Sequence, residues 1–415
     1  MDGPPKAVPV RFGEFVALIA AMMSIQAIAI DAMLPAFPAI VAALRVADPN
    51  QGQWIVTTYM AGMGIGQLVF GLLSDRFGRR PIVLGGLALY VFAALVCGFA
   101  TSFGALLAWR FVHGLAAASA TVVRSVVRDL YSGRPMARVL SLTFMVFLTV
   151  PVLAPSLGQL ILLAASWRCI FVVCGAFASL VWVGAFYRLP ETLHPEYRLP
   201  LDPAHIAGAV RLVLSNRMSL FYTLASTVMF GALMAYVATV QQVFAQVFHR
   251  PALMPGMFAL CAGFMGVAAF VNSRLVERLG MRLISHAALL VFIGVCALHT
   301  GIAEAGRESL WSFVVLQAAA MATFSLSVSN FGAMALEPVG PVAGIGASLQ
   351  GCISTGFAAV LAAAIGREFD ASTVPLAAGS LLSGLTALLL VLTAEKGRLF
   401  RRHHAAQGTE AAFAH

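Results

Sequence analysis

The sequence Gly71-Leu-Leu-Ser-Asp75-Arg-Phe-Gly78-Arg-Arg80 joins two long apolar segments and decides how the rest of the chain is interpreted. It holds one carboxylate and three guanidinium groups within six positions. A charge near membrane hydrocarbon is costly, so these charges need internal pairing and a turn of fixed shape. Gly78 can adopt a positive φ without steric cost, and Gly71 allows a neighbouring helix to approach closely. The stretch therefore predicts a rigid, charged turn between two membrane helices.

The composition indicates an integral membrane protein. Of 415 residues, 60% are hydrophobic and only 10% are charged, and the mean hydropathy is +0.90, whereas soluble domains carry roughly 25% charged residues. A helix needs roughly 20 residues to cross a hydrocarbon core of about 30 Å. The sequence predicts an all-α protein with twelve transmembrane helices, at about 14–42, 54–74, 82–100, 103–127, 139–163, 169–187, 218–246, 255–273, 283–302, 310–333, 340–366 and 374–395.

The basic residues predict the orientation of these spans. With the N-terminus in the cytoplasm, 19 Lys and Arg residues fall on inner segments and five on outer segments. Such a bias is the positive-inside pattern of membrane proteins. The net charge of +9 therefore indicates topology and no nucleic-acid partner. We expect a multi-pass protein of a bacterial inner membrane with both termini cytoplasmic.

A second charged turn, at 272–282, resembles the first. When Gly280 is aligned with Gly78, an acid precedes each glycine by three positions and an arginine follows each by two. The offset is close to half of the chain. The alternative is that any tight inner turn collects Arg and Gly. A repeat of this kind predicts two pseudo-repeat halves with a substrate site between them, as in transporters.

The resulting division of the chain has four segments. We predict an N-terminal six-helix half at 1–187, a cytoplasmic linker at 188–217, a C-terminal six-helix half at 218–395 and a cytoplasmic tail at 396–415.

Asp31 is the only acid in the interior of the first span. A carboxyl group inside a membrane is expensive to ionise and marks a functional site by default. Asp31 is therefore predicted to carry protons and to act as counter-ion for a cationic substrate. The alternative is a structural acid paired with an arginine. Pro35 and Pro38 interrupt the helix ladder that follows it.

Arg110, within the fourth span, is the predicted partner of Asp31. At a rise of about 1.5 Å per residue the two side chains come to similar depths. His113 lies one turn further along the same face, where it relays protons or serves as a hydrogen-bonded packing residue.

Two further groups of residues are candidates for the transport path. The fifth span carries Pro151 and Pro155 four positions apart, which implies a kink, with Gly158 one turn on. Polar and aromatic side chains in later spans are candidates to line a largely apolar cavity. These cavity candidates are Tyr222, Tyr236, Gln241 and Asn330.

The sequence holds no phosphate-binding loop of the ATPase type and no His/Cys/Asp cluster with metal-ligand spacing. We expect no enzymatic activity, no cofactor and no metal, a proton gradient as energy source, and small molecules, protons and the lipid bilayer as partners of a monomer.

The pattern Gly71-x-x-x-Asp75-Arg76-x-Gly78-Arg79-Arg80 resembles the signature between the second and third helices of the major facilitator superfamily. The stretches 29–38 and 127–131 look most like the bicyclomycin-resistance-type drug–proton antiporters. This resemblance implies proton-driven efflux of small, mostly apolar drugs by alternating access. It also implies a conformational latch in which Asp75 faces the start of the eleventh span, near 341–346, and Arg79 or Arg76 bridges Asp75 to Asp129. The latch would join the two halves when the inner side is closed.

Three positions depart from that family pattern. Ala154 and Gln159 replace two glycines of the antiporter motif in the fifth span. Met22-Met23-Ser24 stands where some relatives carry a second acid, which leaves the proton stoichiometry open. Met281 replaces the arginine equivalent to Arg79 in the second turn. The alternatives to drug efflux are a major facilitator carrier for a native metabolite, in either direction, and a non-transporting membrane sensor.

Overall fold

The computed structural model describes residues 11–131, 133–194, 196, 198 and 202–400, and this part of the chain is helical with no strand. The helices, in chain order, are α1 Phe12–Asp31, α2 Phe37–Ala43, α3 Trp54–Phe77, α4 Arg79–Gly98, α5 Phe103–Ala117, α6 Val123–Leu130, α7 Gly133–Ala164, α8 Arg168–Arg188, α9 Pro203–Ser215, α10 Arg217–Gln242, α11 Met254–Leu279, α12 Met281–Glu304, α13 Leu310–Leu336, α14 Ala343–Arg367 and α15 Val374–Ala394. Residues 401–415, most of the predicted tail, lie outside the described residues.

Eleven segments of the described chain are long and apolar enough to cross a membrane. The remaining predicted span, 139–163, falls in the 32-residue helix α7, whose stretch Val152–Ala164 is apolar. The expected all-α, multi-span architecture is therefore confirmed. The end of the bundle that carries the turn 71–80 is called the inner end below, following the charge bias, and the opposite end is called the outer end.

Two of the described spans are interrupted by 3-10 turns, one of them directly after Asp31. The first span leaves α-helical geometry after Asp31, passes through the 3-10 turn Leu34–Ala36 and continues as α2. Pro35 and Pro38 lack the N–H that a continuous helix needs. The fourth span is divided by the 3-10 stretch Ala118–Val122. The predicted linker also contains a regular helix, α9, capped by the side chain of Asp202.

Glycine sets both charged turns. Gly78 joins α3 to α4 at φ +106°, and Gly280 joins α11 to α12 at φ +81°. These backbone angles are strained for any residue with a Cβ atom. The two turns therefore share a backbone shape as well as a sequence pattern.

Helices α3 and α14 pack antiparallel along their whole lengths. At the outer end the Asn50 side chain, just before α3, donates to the Phe369 carbonyl at 3.1 Å. Near the inner end, a Cβ added to Gly71 would lie 2.4 Å from Oγ of Ser348. This register places Asp75 opposite Gly344, in the first turn of α14.

Candidate functional site

Arg110 is fully buried on α5 and holds the ends of two other helices. Its Nη2 donates to the Ala29 carbonyl at 3.2 Å, and its Nε donates to the Ile55 carbonyl at 3.1 Å. The guanidinium also lies 4.3 Å from the ring centre of Tyr59, a cation–π distance. In a continuous α-helix the N–H of Met33 would donate to the Ala29 carbonyl. Where the first span breaks, it donates instead to the Ile30 carbonyl at 3.3 Å, which leaves the Ala29 carbonyl available to Arg110.

The predicted ion pair between Asp31 and Arg110 is wrong. No salt bridge within 4.0 Å joins them, and the Asp31 carboxyl has no hydrogen-bond partner among the described residues, although it is only 6% exposed. The geometry gives the reason: the broken first span offers the Ala29 carbonyl to Arg110, and the start of α3 offers the Ile55 carbonyl. Carbonyl dipoles and an aromatic ring then stabilise the buried cation.

His113 lies against Arg110 and not against Asp31. Its Nδ1 is 3.3 Å from Nη1 of Arg110, and its ring packs 4.1 Å from that of Tyr90, centre to centre. The Nε2 of His113 and the hydroxyl of Tyr59 are buried and have no partner in the described structure. The packing interpretation accounts for the ring contacts, and the proton-relay role stays a prediction.

Gly158 of α7 brings the fifth span into backbone contact with the turn after Asp31. A Cβ atom at this position would lie 2.0 Å from the Ala32 carbonyl oxygen and 3.0 Å from Cγ of Pro35. Pro155, one turn earlier, is buried. The side chain of Pro151 lies outside the described residues. Only a glycine permits this approach, so α7 fixes the position of the segment that carries Asp31.

At the inner end, Arg79 bridges the two carboxylates named in the sequence analysis. It is 5% exposed, pairs with Asp75 and donates from Nε to Oδ2 of Asp129 at 3.2 Å. Arg76 is exposed and has no partner among the described residues. The predicted bridge from Asp75 to Asp129 is therefore present, with Arg79 as the bridging residue. The predicted contact of Asp75 with the start of the eleventh span, which would join the two halves, stays a prediction. Asp75 lies one turn after Gly71, which approaches Ser348 of α14.

Glu191, which the sequence analysis missed, caps the start of α4. Its Oε1 accepts from the backbone N–H of Arg79 at 2.9 Å, and its Oε2 accepts from that of Arg80 at 3.3 Å. A carboxylate at a helix N-terminus satisfies unpaired donors and favours the helix dipole. The neighbouring Thr192 donates to Asp129 at 3.0 Å. The acidic linker start after α8 was the available signal.

The four residues predicted to line a cavity lie at different places in the bundle. Tyr236 stacks on Phe258, with ring centres 5.7 Å apart, and Asn330 donates to Asn272 at 2.8 Å. Gln241 lines a small cavity at the outer end.

Tyr222 lies at the inner end of the same helix as Gln241, about 28 Å away at 1.5 Å per residue. Its hydroxyl donates to Glu395 at 2.8 Å and lies 3.1 Å from Nε2 of His286. Burial raises the pKa of Glu395, but hydrogen bonds from Arg282 and Tyr222 outweigh that effect and leave it below its ordinary value. One shared cavity for Tyr222 and Gln241 is therefore contradicted, because Tyr222 is held in this inner network.

Three amide side chains tie the outer ends of the two halves together, and we call them the outer amide clamp: Asn50, Gln53 and Gln242. Gln53 donates to Gln242 at 2.7 Å and to the Gly366 carbonyl at 2.9 Å, and Gln242 donates to Asn50 at 2.9 Å. The clamp joins the turn before α3 to the ends of α10 and α14. The outer side is therefore closed at these helices.

Comparisons with known proteins agree with this architecture. The family model of the Major Facilitator Superfamily matches residues 16–363. A bicyclomycin resistance protein homolog of Haemophilus influenzae is 30% identical over 351 residues, covering 84% of this chain and 87% of that protein. The multidrug resistance protein MdtL of Klebsiella pneumoniae is 35% identical over 182 residues, covering 44% of this chain and 46% of that protein.

A solved structure shows the same fold. The crystal structure of a D-xylose-proton symporter superposes with a TM-score of 0.70 at 13% identity, covering 93% of this chain and 99% of that one.

Proposed function

The chain belongs to the Major Facilitator Superfamily, and from that premise we propose that it exports small amphipathic compounds in exchange for protons. Relatives named for bicyclomycin and multidrug resistance support this assignment. The observation that carries it is the Asp31 carboxyl, which is buried inside a span without a hydrogen-bond or ionic partner in the described structure. A buried acid of this kind favours its neutral form until water reaches it.

Asp31 is held in place while its carboxyl stays free to exchange a proton. Arg110 fixes the Ala29 carbonyl on one side of it, and Gly158 lets α7 contact the Ala32 carbonyl on the other. We infer that Asp31 takes up a proton when the outer side is open and releases it when the inner side is open. Substrate binding at the inner-open stage favours release.

The inner turn sets the balance between these two states. Arg79 holds Asp75 and Asp129 together. From the register of Gly71 against Ser348 we infer that Asp75 lies near the first turn of α14. A carboxylate near a helix N-terminus is stabilised by roughly 0.3–1 kcal/mol. We infer that this contact favours closure of the inner side, while the outer amide clamp favours closure of the outer side. In this proposal the protein lies in a bacterial inner membrane with both termini in the cytoplasm.

The test is transport of a compound panel into inverted membrane vesicles with an imposed gradient, acid inside. The proposal expects uptake of amphipathic drugs that collapses when a protonophore is added. Gradient-driven uptake of sugars, acids or amino acids alone would favour a metabolite carrier and contradict the proposal.

A further inference from the structure

A cavity of about 70 Å³ lies at the outer end, beside the outer amide clamp. One wall is apolar and the other carries four glutamines. Among the described residues, no charged side chain lines it. The lining residues are Phe37, Pro38, Val41, Gly52, Gln53, Gln241, Gln242, Ala245 and Gln246. It lies between the two halves, because its apolar wall comes from α2 and most of its glutamines come from the end of α10 and the turn that follows.

Gln241 is the member of this wall whose hydrogen bonding is incomplete. It is 5% exposed, and its Oε1 is buried without a partner among the described residues. Buried amide oxygens are nearly always paired, so one left unpaired calls for an explanation. The helix widens into a π-helical turn, Val243–Val247, directly after Gln242. Such turns occur often at functional sites.

We propose that this cavity is an exit subsite that binds an uncharged hydrogen-bonding group of the substrate, an amide or a hydroxyl. The Oε1 of Gln241 accepts a hydrogen bond from the N–H or O–H of that group. The apolar wall of α2 contacts the adjoining hydrocarbon part. A space of this size takes a functional group and not a whole drug, so the rest of the substrate extends beyond the cavity.

The lining explains why the group is uncharged. A charged group transferred to a site with amides and hydrocarbon, but no opposite charge, would lose hydration without an ionic partner. Amide side chains, in contrast, both donate to and accept from a neutral amide. The subsite would bind the uncharged part of the substrate, whereas Asp31, at another place in the transport path, would bind and release the proton.

Occupation of the subsite also weakens the closure of the outer side. Gln53 and Gln242 belong both to the cavity wall and to the outer amide clamp. A substrate amide that hydrogen-bonds either side chain competes with the 2.7 Å bond between them. Substrate arriving at the outer end therefore favours the state that releases it.

This inference rests on the proposed function for its transport role, but its test is a binding measurement. The purified full chain in nanodiscs is assayed by equilibrium dialysis with two probes, chloramphenicol as a neutral amide and ethidium as an apolar cation. Gln241→Leu removes the amide at similar volume. Gln51→Leu is the matched control, because Gln51 is exposed at the same end and does not line the cavity.

We expect Gln241→Leu to raise the dissociation constant for chloramphenicol about tenfold, or about 1.4 kcal/mol, and to leave ethidium binding within about twofold. Gln51→Leu should leave both unchanged. An equal loss for both probes, an unchanged constant for chloramphenicol, or no chloramphenicol binding to the unmodified protein would overturn the subsite. Normal binding of chloramphenicol without gradient-driven uptake of any drug would contradict the proposed function instead.

A second measurement tests the link to the clamp. A cysteine placed at exposed Gln51 is labelled with a membrane-impermeant maleimide in right-side-out vesicles. Chloramphenicol should increase the labelling rate of the otherwise unmodified protein and should not do so in Gln241→Leu. An equal increase in both would contradict competition at this wall.

Discussion

The Nη2 of Arg110 donates to the carbonyl oxygen of Ala29 at 3.2 Å, two residues before Asp31. A buried guanidinium usually pairs with a carboxylate, but Arg110 instead hydrogen-bonds a backbone carbonyl close to Asp31. The segment that carries Asp31 is held in place, and its carboxyl has no ionic partner among the described residues. An acid that must bind and release protons benefits from this arrangement, since a tight ion pair would hold it ionised.

The first prediction is that Arg110 and Asp31 contribute independently to the free energy of unfolding. Arg110→Lys keeps the charge but loses the planar fork that reaches both Ala29 and Ile55, so the free energy of unfolding should fall by roughly 1–3 kcal/mol. Because no ion pair joins Arg110 to Asp31, the loss should be the same in an Asp31→Asn background within about 0.5 kcal/mol. Denaturant unfolding in detergent measures both. A coupling above ~1 kcal/mol would show that they interact directly.

The second prediction concerns the contact of Gly158 with Ala32. A Cβ at Gly158 would lie 2.0 Å from a backbone oxygen that cannot move aside cheaply. Gly158→Ala should force α7 away from the first span, at a cost of roughly 1–3 kcal/mol, and should reduce gradient-driven uptake. Gly104→Ala is the control, because a Cβ there meets no atom within 4 Å. Equal activity of the two variants in vesicle uptake would show that the close approach has no role in transport.

The third prediction compares two arginines of the same turn. Arg79 is buried and pairs with two carboxylates, whereas Arg76 is exposed without a described partner. Arg79→Gln leaves Asp75 and Asp129 near each other without a cation. It should slow transport and increase labelling of a cysteine placed in the inner vestibule, and Arg76→Gln should do neither.

Membrane insertion is the control for this comparison. A purely topological role would make both arginines act through insertion, since both contribute to the positive-inside bias. Normal insertion with increased inner labelling in Asp75→Asn supports the latch. Unchanged labelling in that variant would exclude it.

The fourth prediction tests the helix cap supplied by Glu191. Glu191→Ala leaves the first N–H groups of α4 without an acceptor and should destabilise the protein by roughly 0.5–2 kcal/mol. Glu14→Ala is the matched control, because the Glu14–Arg188 pair is exposed on both sides and should contribute less than about 1 kcal/mol. Thermal melting of the two purified variants distinguishes them. A larger loss for Glu14→Ala would contradict the cap.

The sequence predicted the architecture well because membrane solvation imposes simple rules. Long apolar runs, the charge bias and the glycine turn at Gly78 each follow from local composition. The pairing of an arginine with Asp75 and Asp129 inside the N-terminal half was foreseen, but not which of Arg76 and Arg79 forms it, because sequence spacing does not show which side chain is buried.

The errors and omissions concern contacts between residues that are distant in the sequence. The Asp31–Arg110 pair was inferred from their equal depth in the membrane, but depth alone does not show which backbone carbonyls are available to Arg110. The cap at Glu191 and the outer amide clamp join residues more than 100 positions apart. The local pattern of apolar and polar residues in the sequence does not predict such contacts.

The most direct test of the account is proton movement coupled to substrate. Purified protein is reconstituted into liposomes with an acidic lumen and a lumenal pH dye, with its inner end facing outward, and drug is added outside. The account predicts that drug makes the lumen more alkaline with the unmodified protein. It predicts no such change with Asp31→Asn, which should still exchange labelled for unlabelled drug. Drug-dependent proton release that persists in Asp31→Asn would contradict the assignment of Asp31 as the proton site.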